Sequence, residues 1–308
     1  MGAGGPPLAY TWVVSFTIAT FNVKDYFDSP YNEPVLAEKA KEIARHVTRA
    51  EADLVAIQEV GSEALLRAML AHVPFGASYT VHFGGADRRG IGNAILSRLP
   101  VVESEAFAAE DLAFPVFRKG DPRPFPGRLP LRRPVVRVAV DALDTRIHVF
   151  STHWKSKLPK PEEDEAGVDI RWEGGVGRAE ADLRSLVSRG AEALYVRRLV
   201  ERFAALGEVA LLGDLNDTID SIPVRIVRAE GQPVPLFAAT DLARPEDRVS
   251  TLHRASPEQI DHVLATEGLH RRLVSVSFFN EALRDHPFGP DTAPTIDSDH
   301  AMVVATYE

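Results

Sequence analysis

The chain contains no cysteine. That excludes disulfides, zinc–thiolate sites and thiol catalysis. A cysteine-free chain folds in either redox environment, so the compartment stays open. Positive charge is also in short supply: 35 Lys+Arg against 44 Asp+Glu give a formal net charge of -9. A protein that grips phosphates through bulk positive charge is basic. An anionic ligand would therefore have to be held locally here, by a metal ion or a confined basic patch, and most of the excess acid reads as solvated surface. Long apolar runs are missing too. Residues 8–23 are apolar but interrupted, with no Lys or Arg before them. They lack the basic start and clear cleavage site of a signal peptide and are too short and too polar to cross a bilayer. Neither a membrane span nor a protein partner is implied.

What is present is ordinary for a globular protein: 45% hydrophobic and 26% charged residues over 308 positions, enough chain for a sizeable core. Residues 11–22 (TWVVSFTIATFN) are β-branched and aromatic and predict a buried strand. Leu36, Ala40, Ile43, Ala44 and Val47 recur at helical spacing and predict a helix over 35–49. A short strand follows at 53–57, then a helix over 62–71 with Ser62 or Gly61 near its N-cap. Further strands are expected at 92–97, 135–140, 146–151, 209–212, 259–265, 274–279 and 301–307, and a long helix over 179–206. Residues 114–134 and 161–173 read as long surface loops. No linker is evident, so one domain is expected across 1–308. A faint echo between TFNVKDYFD and LGDLNDTID is too weak to count as a repeat.

Several strands end in polar clusters: Asn22, Glu59, His153, Asp214 with Asn216, and Asp261. Converging strand ends are where α/β proteins place ligands. Glu59, directly after a buried strand, is a carboxylate of the kind a hard cation prefers, although a strand-terminal acid is ordinarily solvated. Asp214 and Asn216 sit two apart after a strand in LLGDLND. One can act on water and the other can hold an oxygen, against the plainer reading of an Asx turn. His300 beside Asp299 in SDH, and His153 in FSTHWKSK, can bind or protonate a phosphoryl oxygen. Taken singly, each is more simply a satisfied loop histidine. Asp261 in QIDHV lies inside a strand, and a buried acid needs a partner such as a His ring.

In order along the chain, TFNV at Thr20, QEV at Gln58, GIGNAILSRLPV at Gly90, STH at Ser151, GDLND at Gly213, IDHV at Ile260 and SDH at Ser298 resemble the endonuclease/exonuclease/phosphatase superfamily. The superfamily includes deoxyribonucleases, abasic-site endonucleases, inositol polyphosphate 5-phosphatases and bacterial sphingomyelinases. The resemblance implies an α/β fold: a four-layer sandwich of two packed mixed β-sheets flanked by helices. It implies a divalent-metal-dependent phosphoric ester hydrolase using Mg²⁺, with Mn²⁺ or Ca²⁺ as alternatives. Glu59 would be the principal metal ligand, with Asn22 and Asp299 assisting. Asp214 would orient or deprotonate the attacking water, and Asn216 would hold it or a phosphate oxygen. His300, oriented by Asp261, would contact the scissile phosphate, and His153 would stabilise the phosphate or protonate the leaving oxygen.

The STH form, TFNVKDYFD and HWKSK are closest to bacterial extracellular-type nucleases, while the Trp-bearing motifs of the inositol phosphatases are missing. Nucleic acid is thus the expected substrate. The alternatives are a phosphomonoesterase or lipid or inositol phosphate hydrolase of the same superfamily, and a non-catalytic phosphate-binding module. Arg118, Lys119, Arg123, Arg128, Arg132, Arg133 and Arg137 form a concentrated basic stretch able to follow a phosphate backbone, with Phe114, Phe117 and Phe125 interleaved to stack on bases. Its plainer reading is a solvated loop whose aromatics anchor it to the core. Lys155, Lys157 and Asn93 complete the expected substrate contacts, the two lysines sharing a face if their strand continues past His153.

Overall fold

The computed structural model describes residues 15–160, 174–253, 255–286 and 292–308. Expectations for residues 11–14 and 161–173 lie outside them.

One six-stranded sheet is built from β1 (Phe16–Tyr26), β2 (Leu54–Val60), β3 (Thr80–Ala86), β4 (Gly92–Ser97), β13 (Leu273–Phe279) and β14 (Met302–Tyr307). Its strand order is β13-β14-β1-β2-β4-β3. The second comprises β5 (Val101–Phe107), β6 (Val135–Ala142), β7 (Thr145–His153), β8 (Glu208–Asp214), β9 (Leu236–Ala238) and β12 (Asp261–Thr266), in the order β5-β6-β7-β8-β12-β9. A small hairpin of β10 (Thr251–His253) and β11 (Ser256–Glu258) stands apart.

Strand alternation decides which side chains meet. Ile18 of β1, Ala56 of β2 and Ile95 of β4 face Val136, Val138, Val149, Leu212 and Val263 of the second sheet in one core between the sheets. The outer face of the first sheet packs on α1 (Leu36–Ala50) and α2 (Glu63–Leu70). The outer face of the second packs on α3 (Gly174–Ala204) and α4 (Ile222–Arg228). A single turn, α5 (Glu267–His270), follows β12. The result is the expected four-layer α/β sandwich. Ser62 caps α2 through its side chain, accepting from the Leu65 N–H, a bond that satisfies one of the orphan donors of the first turn. Residues 114–134 carry no helix or strand.

The two sheets share a plan. In the first, parallel β1 and β2 are joined across α1. In the second, parallel β7 and β8 are joined across α3. Every other pairing within the two sheets is antiparallel. This topological echo is stronger than the sequence suggests, because packing constrains which face is apolar but not which apolar residue fills it. It brings the C-terminal ends of β1, β2, β7 and β8 to one end of the sandwich. Just beneath that end the inter-sheet layer turns polar: Thr20 Oγ1 donates to Gln58 Oε1 (3.1 Å), and Gln58 Nε2 donates across the seam to Ser151 Oγ (3.1 Å).

Candidate active site

Both parallel strand pairs end in distorted backbone. Between the Asn22–Gln58 and Tyr26–Val60 pairs, β1 uses four steps where β2 uses two. Against β4, Glu59 is the extra residue of β2. Lys24, Asp25 and Glu59 all adopt positive φ, at 49°, 53° and 64°. Non-glycine residues in that region are strained, and bulges of this kind re-aim side chains. The other pair is held by Gly213, at φ 146°. A Cβ there would sit 1.8 Å from the Thr152 carbonyl oxygen, so only glycine lets β8 approach β7 and bring Asp214 beside His153.

Six of the side chains singled out in the sequence converge, and they come equally from the two sheets. Asn22, Glu59 and His300 hang from the first sheet, with His300 bridging to Thr251 just before β14. His153, Asp214 and Asp261 hang from the second. Their contacts cross the seam. Asn22 Nδ2 donates to Asp214 Oδ2 (2.9 Å) and, within its own sheet, to Glu59 Oε1 (3.3 Å). His300 Nδ1 lies 2.8 Å from Asp261 Oδ2. His153 Nε2 lies 3.4 Å from Asp214 Oδ2 and 3.8 Å from Glu59 Oε1. His300 Nε2 stands 4.0 Å from Asp214 Oδ2. Asn216 completes the group, its N–H donating to Asp214 Oδ1 (2.8 Å) and its Nδ2 to the Trp154 carbonyl (3.1 Å).

Burial and crowding set the charge states. Burial, then the Asp261 charge, pushes the Asp214 carboxyl up to about 7. Burial and Glu59 push Asp25 up to about 6. For His300, burial pulls the imidazolium down. The Asp261 charge and hydrogen bond outweigh it, with Asp214 and Asp299 behind them, and lift the ring to about 10. His153 goes the other way: burial, then the Arg133 charge, keeps it neutral well below the usual histidine range. The site thus pairs one charged and one neutral imidazole.

Of the remaining expected residues, Asp299 and Arg133 border the group and the others lie outside it. Asp299 is held by Lys24, Nζ to Oδ2 at 2.8 Å. Asn93 sits in β4, and its Nδ2 donates to the Pro134 carbonyl (2.8 Å). β7 ends at His153, so strand alternation does not extend to the lysines. Lys155 is buried, and its ammonium donates to the Ser156 and Leu158 carbonyls. Lys157 pairs with Glu258 at 2.7 Å. The basic stretch is likewise divided. Arg137 is buried against Glu103, Arg123 pairs with Asp111, and Arg133 is buried with Nη1 donating to the His153 and Trp154 carbonyls. Arg132 is half-buried beside it. Phe114 and Phe125 pack on each other edge to face, centroids 5.3 Å apart, while Phe117 stays exposed.

Several supporting groups escaped the sequence reading. Lys39 on α1 is buried, and its Nζ donates to the carbonyls of Thr295, Ile296 and Asp297, which lead into His300. Ser250 Oγ accepts the N–H groups of Ile260 and Asp261, and its carbonyl accepts from Ala301, tying both halves of the His300–Asp261 pair together. Glu192 on α3 is buried and accepts the Lys155 N–H at 2.7 Å. A buried Lys at a helical core position was the one readable signal among them.

Does the site suit a divalent cation? Asp214 and Asp25, pushed toward protonation in an apo site, are carboxylates from which a cation would displace a proton. Asp214, Asp261 and His300 offer ligand atoms within 4.8 Å of one another. Two of the three already bond each other, so an ion there would break that pair. Glu59 at the mouth, with Asp214 beside it, keeps its oxygens more accessible and offers carboxylate oxygens of the kind hard cations take, while Asn22 turns its Nδ2 toward both carboxylates and its Oδ1 accepts the Lys24 N–H, so it steadies the acids. The residues present fit such an ion.

Comparison with known proteins agrees with this geometry. The family model described as Endonuclease/Exonuclease/phosphatase family matches residues 19–300. A search of curated proteins finds no match. Among solved structures, truncated Caenorhabditis elegans TDP2 superposes with a TM-score of 0.59 at 14% identity, covering 96% of this chain and 97% of that one. An endonuclease/exonuclease/phosphatase family protein from Leptotrichia buccalis gives 0.57 at 13%, covering 95% and 99%. D. rerio TDP2, complexed with single strand DNA product, gives 0.57 at 16%, covering 96% and 99%. At such identities the structural likeness speaks to the fold, whereas the sequence match over residues 19–300 speaks to descent: the chain belongs to the endonuclease/exonuclease/phosphatase family, a family of phosphoric ester hydrolases.

Proposed function

We propose that the protein is a divalent-metal-dependent phosphodiesterase that cleaves nucleic acid, with water attacking phosphorus in line with the leaving oxygen. The observation that carries this reading is the convergence of Asn22, Glu59, His153, Asp214, Asp261 and His300 from two separate sheets on one end of the sandwich. Structural packing alone has no need for three acids and two imidazoles there.

Phosphoryl transfer asks mainly for positioning and charge neutralisation. Asp214 is central, within 3.4 Å of His153 and 4.0 Å of His300. Its carboxylate accepts the proton of the attacking water. Asn216, locked to Asp214 by its own N–H, steadies that water. His300 stays an imidazolium through Asp261 and faces the phosphoryl oxygens on which negative charge gathers. His153, kept neutral, donates a hydrogen bond to the phosphate, and the His300 imidazolium is the group that gives the leaving oxygen its proton. A divalent ion such as Mg²⁺, held by Glu59 with Asn22 steadying that carboxylate, would supply further neutralisation of the phosphate. The D. rerio relative bound to single strand DNA product supports a nucleic-acid substrate over a lipid or inositol phosphate.

The test is a substrate panel of plasmid, RNA, inositol phosphates and sphingomyelin, with Mg²⁺, Mn²⁺ or Ca²⁺ and with chelator. Metal-dependent cleavage of plasmid or RNA is expected. Turnover confined to the small phosphates or the lipid would defeat the nuclease reading, and hydrolysis of none would favour a binding module.

A further inference from the structure

Next to the site lies a groove that the catalytic reading does not use. Its cavity volume is about 1240 Å³, above the roughly 300–1,000 Å³ of small-ligand pockets. Its walls are the 87–89 turn, the 108–132 segment and the early turns of α3. Leu129, Val187, Phe125 and Leu183 give its lining apolar surface, and the last two are 45% and 58% exposed. Exposed apolar surface gathered in one concavity marks a contact site.

The rim is cationic. Arg88, Arg128 and Arg132 line the groove; among the described residues no carboxylate oxygen lies within 4.0 Å of their guanidinium groups, and the buried Glu192 carboxylate meets the backbone of Arg132. The acids of the same groove are partly spent internally: Asp87 lies 3.5 Å from Arg89 and 4.0 Å from Arg133, and Glu180 faces Arg184 at 3.5 Å. The groove also connects to the chemistry. Asp87 in its wall meets Arg133, and Arg133 donates to the carbonyl of His153.

We infer that this groove seats an unpaired nucleic-acid strand leading to the scissile phosphate, its bases against the apolar side chains and its phosphates along the arginines. The inference rests on the phosphodiesterase reading above and adds the strand state of the substrate. Apolar side chains lining a groove beside arginines reward exposed base faces, which every unpaired base offers. A duplex hides those faces in its stack and meets only the rim. The recess at the opposite end of the sandwich, bordered by Thr145, Glu208 and Arg271, is smaller, about 450 Å³.

Arg128 and Leu183 are both exposed and lie outside the catalytic group, so the double variant R128E/L183E tests the groove without disturbing the core. Fluorescence anisotropy in excess chelator measures affinity for a short labelled DNA strand and for its blunt duplex. Hydrolysis of bis(4-nitrophenyl) phosphate with Mg²⁺ reads the catalytic group separately. The expected result is tighter wild-type binding of the single strand and about tenfold weaker single-strand binding in the variant. Hydrolysis of the small diester should stay within about twofold, since chemistry and strand binding involve different groups. Unchanged strand affinity, or an equal loss on duplex, would overturn the inference. So would a loss confined to turnover of sphingomyelin vesicles, which would make the occupant a lipid. If the wild type hydrolyses no phosphodiester, the catalytic reading fails while the anisotropy still decides the groove.

Discussion

His300 and Asp261, 39 residues apart, meet across the seam between the two sheets at 2.8 Å. The hydrogen bond and charge of Asp261 are the main reasons His300 remains an imidazolium despite burial. Asp261→Asn keeps the shape and removes the charge. It should lower kcat by about 10²-fold or more and also lower Tm, because the charge that keeps buried His300 protonated stabilises the fold at neutral pH. The assay is steady-state hydrolysis of bis(4-nitrophenyl) phosphate beside a thermal melt. A kcat within about threefold of wild type would show that the imidazolium is not required.

Glu59 provides a metal test independent of turnover. A ligand that binds only the folded state stabilises it by about 2.7 kcal/mol at a hundred times its Kd. Saturating Mg²⁺ or Mn²⁺ should therefore raise Tm, and chelator should reverse the rise. Glu59→Gln should abolish most of that shift while leaving the chelated Tm near that of wild type. An identical metal-induced shift in both proteins would place the cation elsewhere.

Gly213→Ala should be costly although the change is one methyl group. The residue sits at φ 146° with the Thr152 carbonyl where a Cβ would go, so the backbone of β7 or β8 must move. A loss of about 2 kcal/mol or more is expected in urea unfolding, with activity falling further because Asp214 and His153 ride on those strands.

His148 predicts the acid limb of stability. It is buried, and burial, then Arg137, lowers it to about 4. Arg137 Nη1 lies 3.0 Å from its Nδ1, which accepts only when unprotonated. Between pH 6.5 and 4 the unfolded chain binds the extra proton, so stability falls as pH falls through that window. Wild type should lose about 2 kcal/mol more than His148→Gln between pH 7 and pH 4.5, measured by urea unfolding at both values. Parallel losses in the two proteins would remove the assignment.

Much of this was legible in the sequence. Strands with continuous apolar character, such as Val135–Ala142, and helices with clean spacing, such as Leu36–Ala50, sit within a residue or two of expectation. Strands with mixed character were missed. Thr80–Ala86 carries a His and two Gly, and Val101–Phe107 alternates acids on the edge of its sheet; neither presents an apolar face long enough to read. Asn22, Glu59, His153 and Asp214 stood out because each lies at or near the end of an apolar strand, whereas Asp261, which opens its strand, and His300, which precedes β14, stood out through the IDHV and SDH motifs. Lys39, Ser250 and Glu192 did not, since their work is done by contact with segments distant in the chain. Lys155 and Lys157 misled because strand alternation was extended past His153, where the strand stops.

Half of the proposed catalytic group hangs from each sheet, and few bonds join the halves. A sideways slip of one sheet over the other by an ångström would part Asn22 from Asp214 and His300 from Asp261 while every ladder within a sheet stayed whole. Turnover is therefore a gauge of how the layers are seated, and mild denaturant should silence the enzyme before circular dichroism registers any loss of strand.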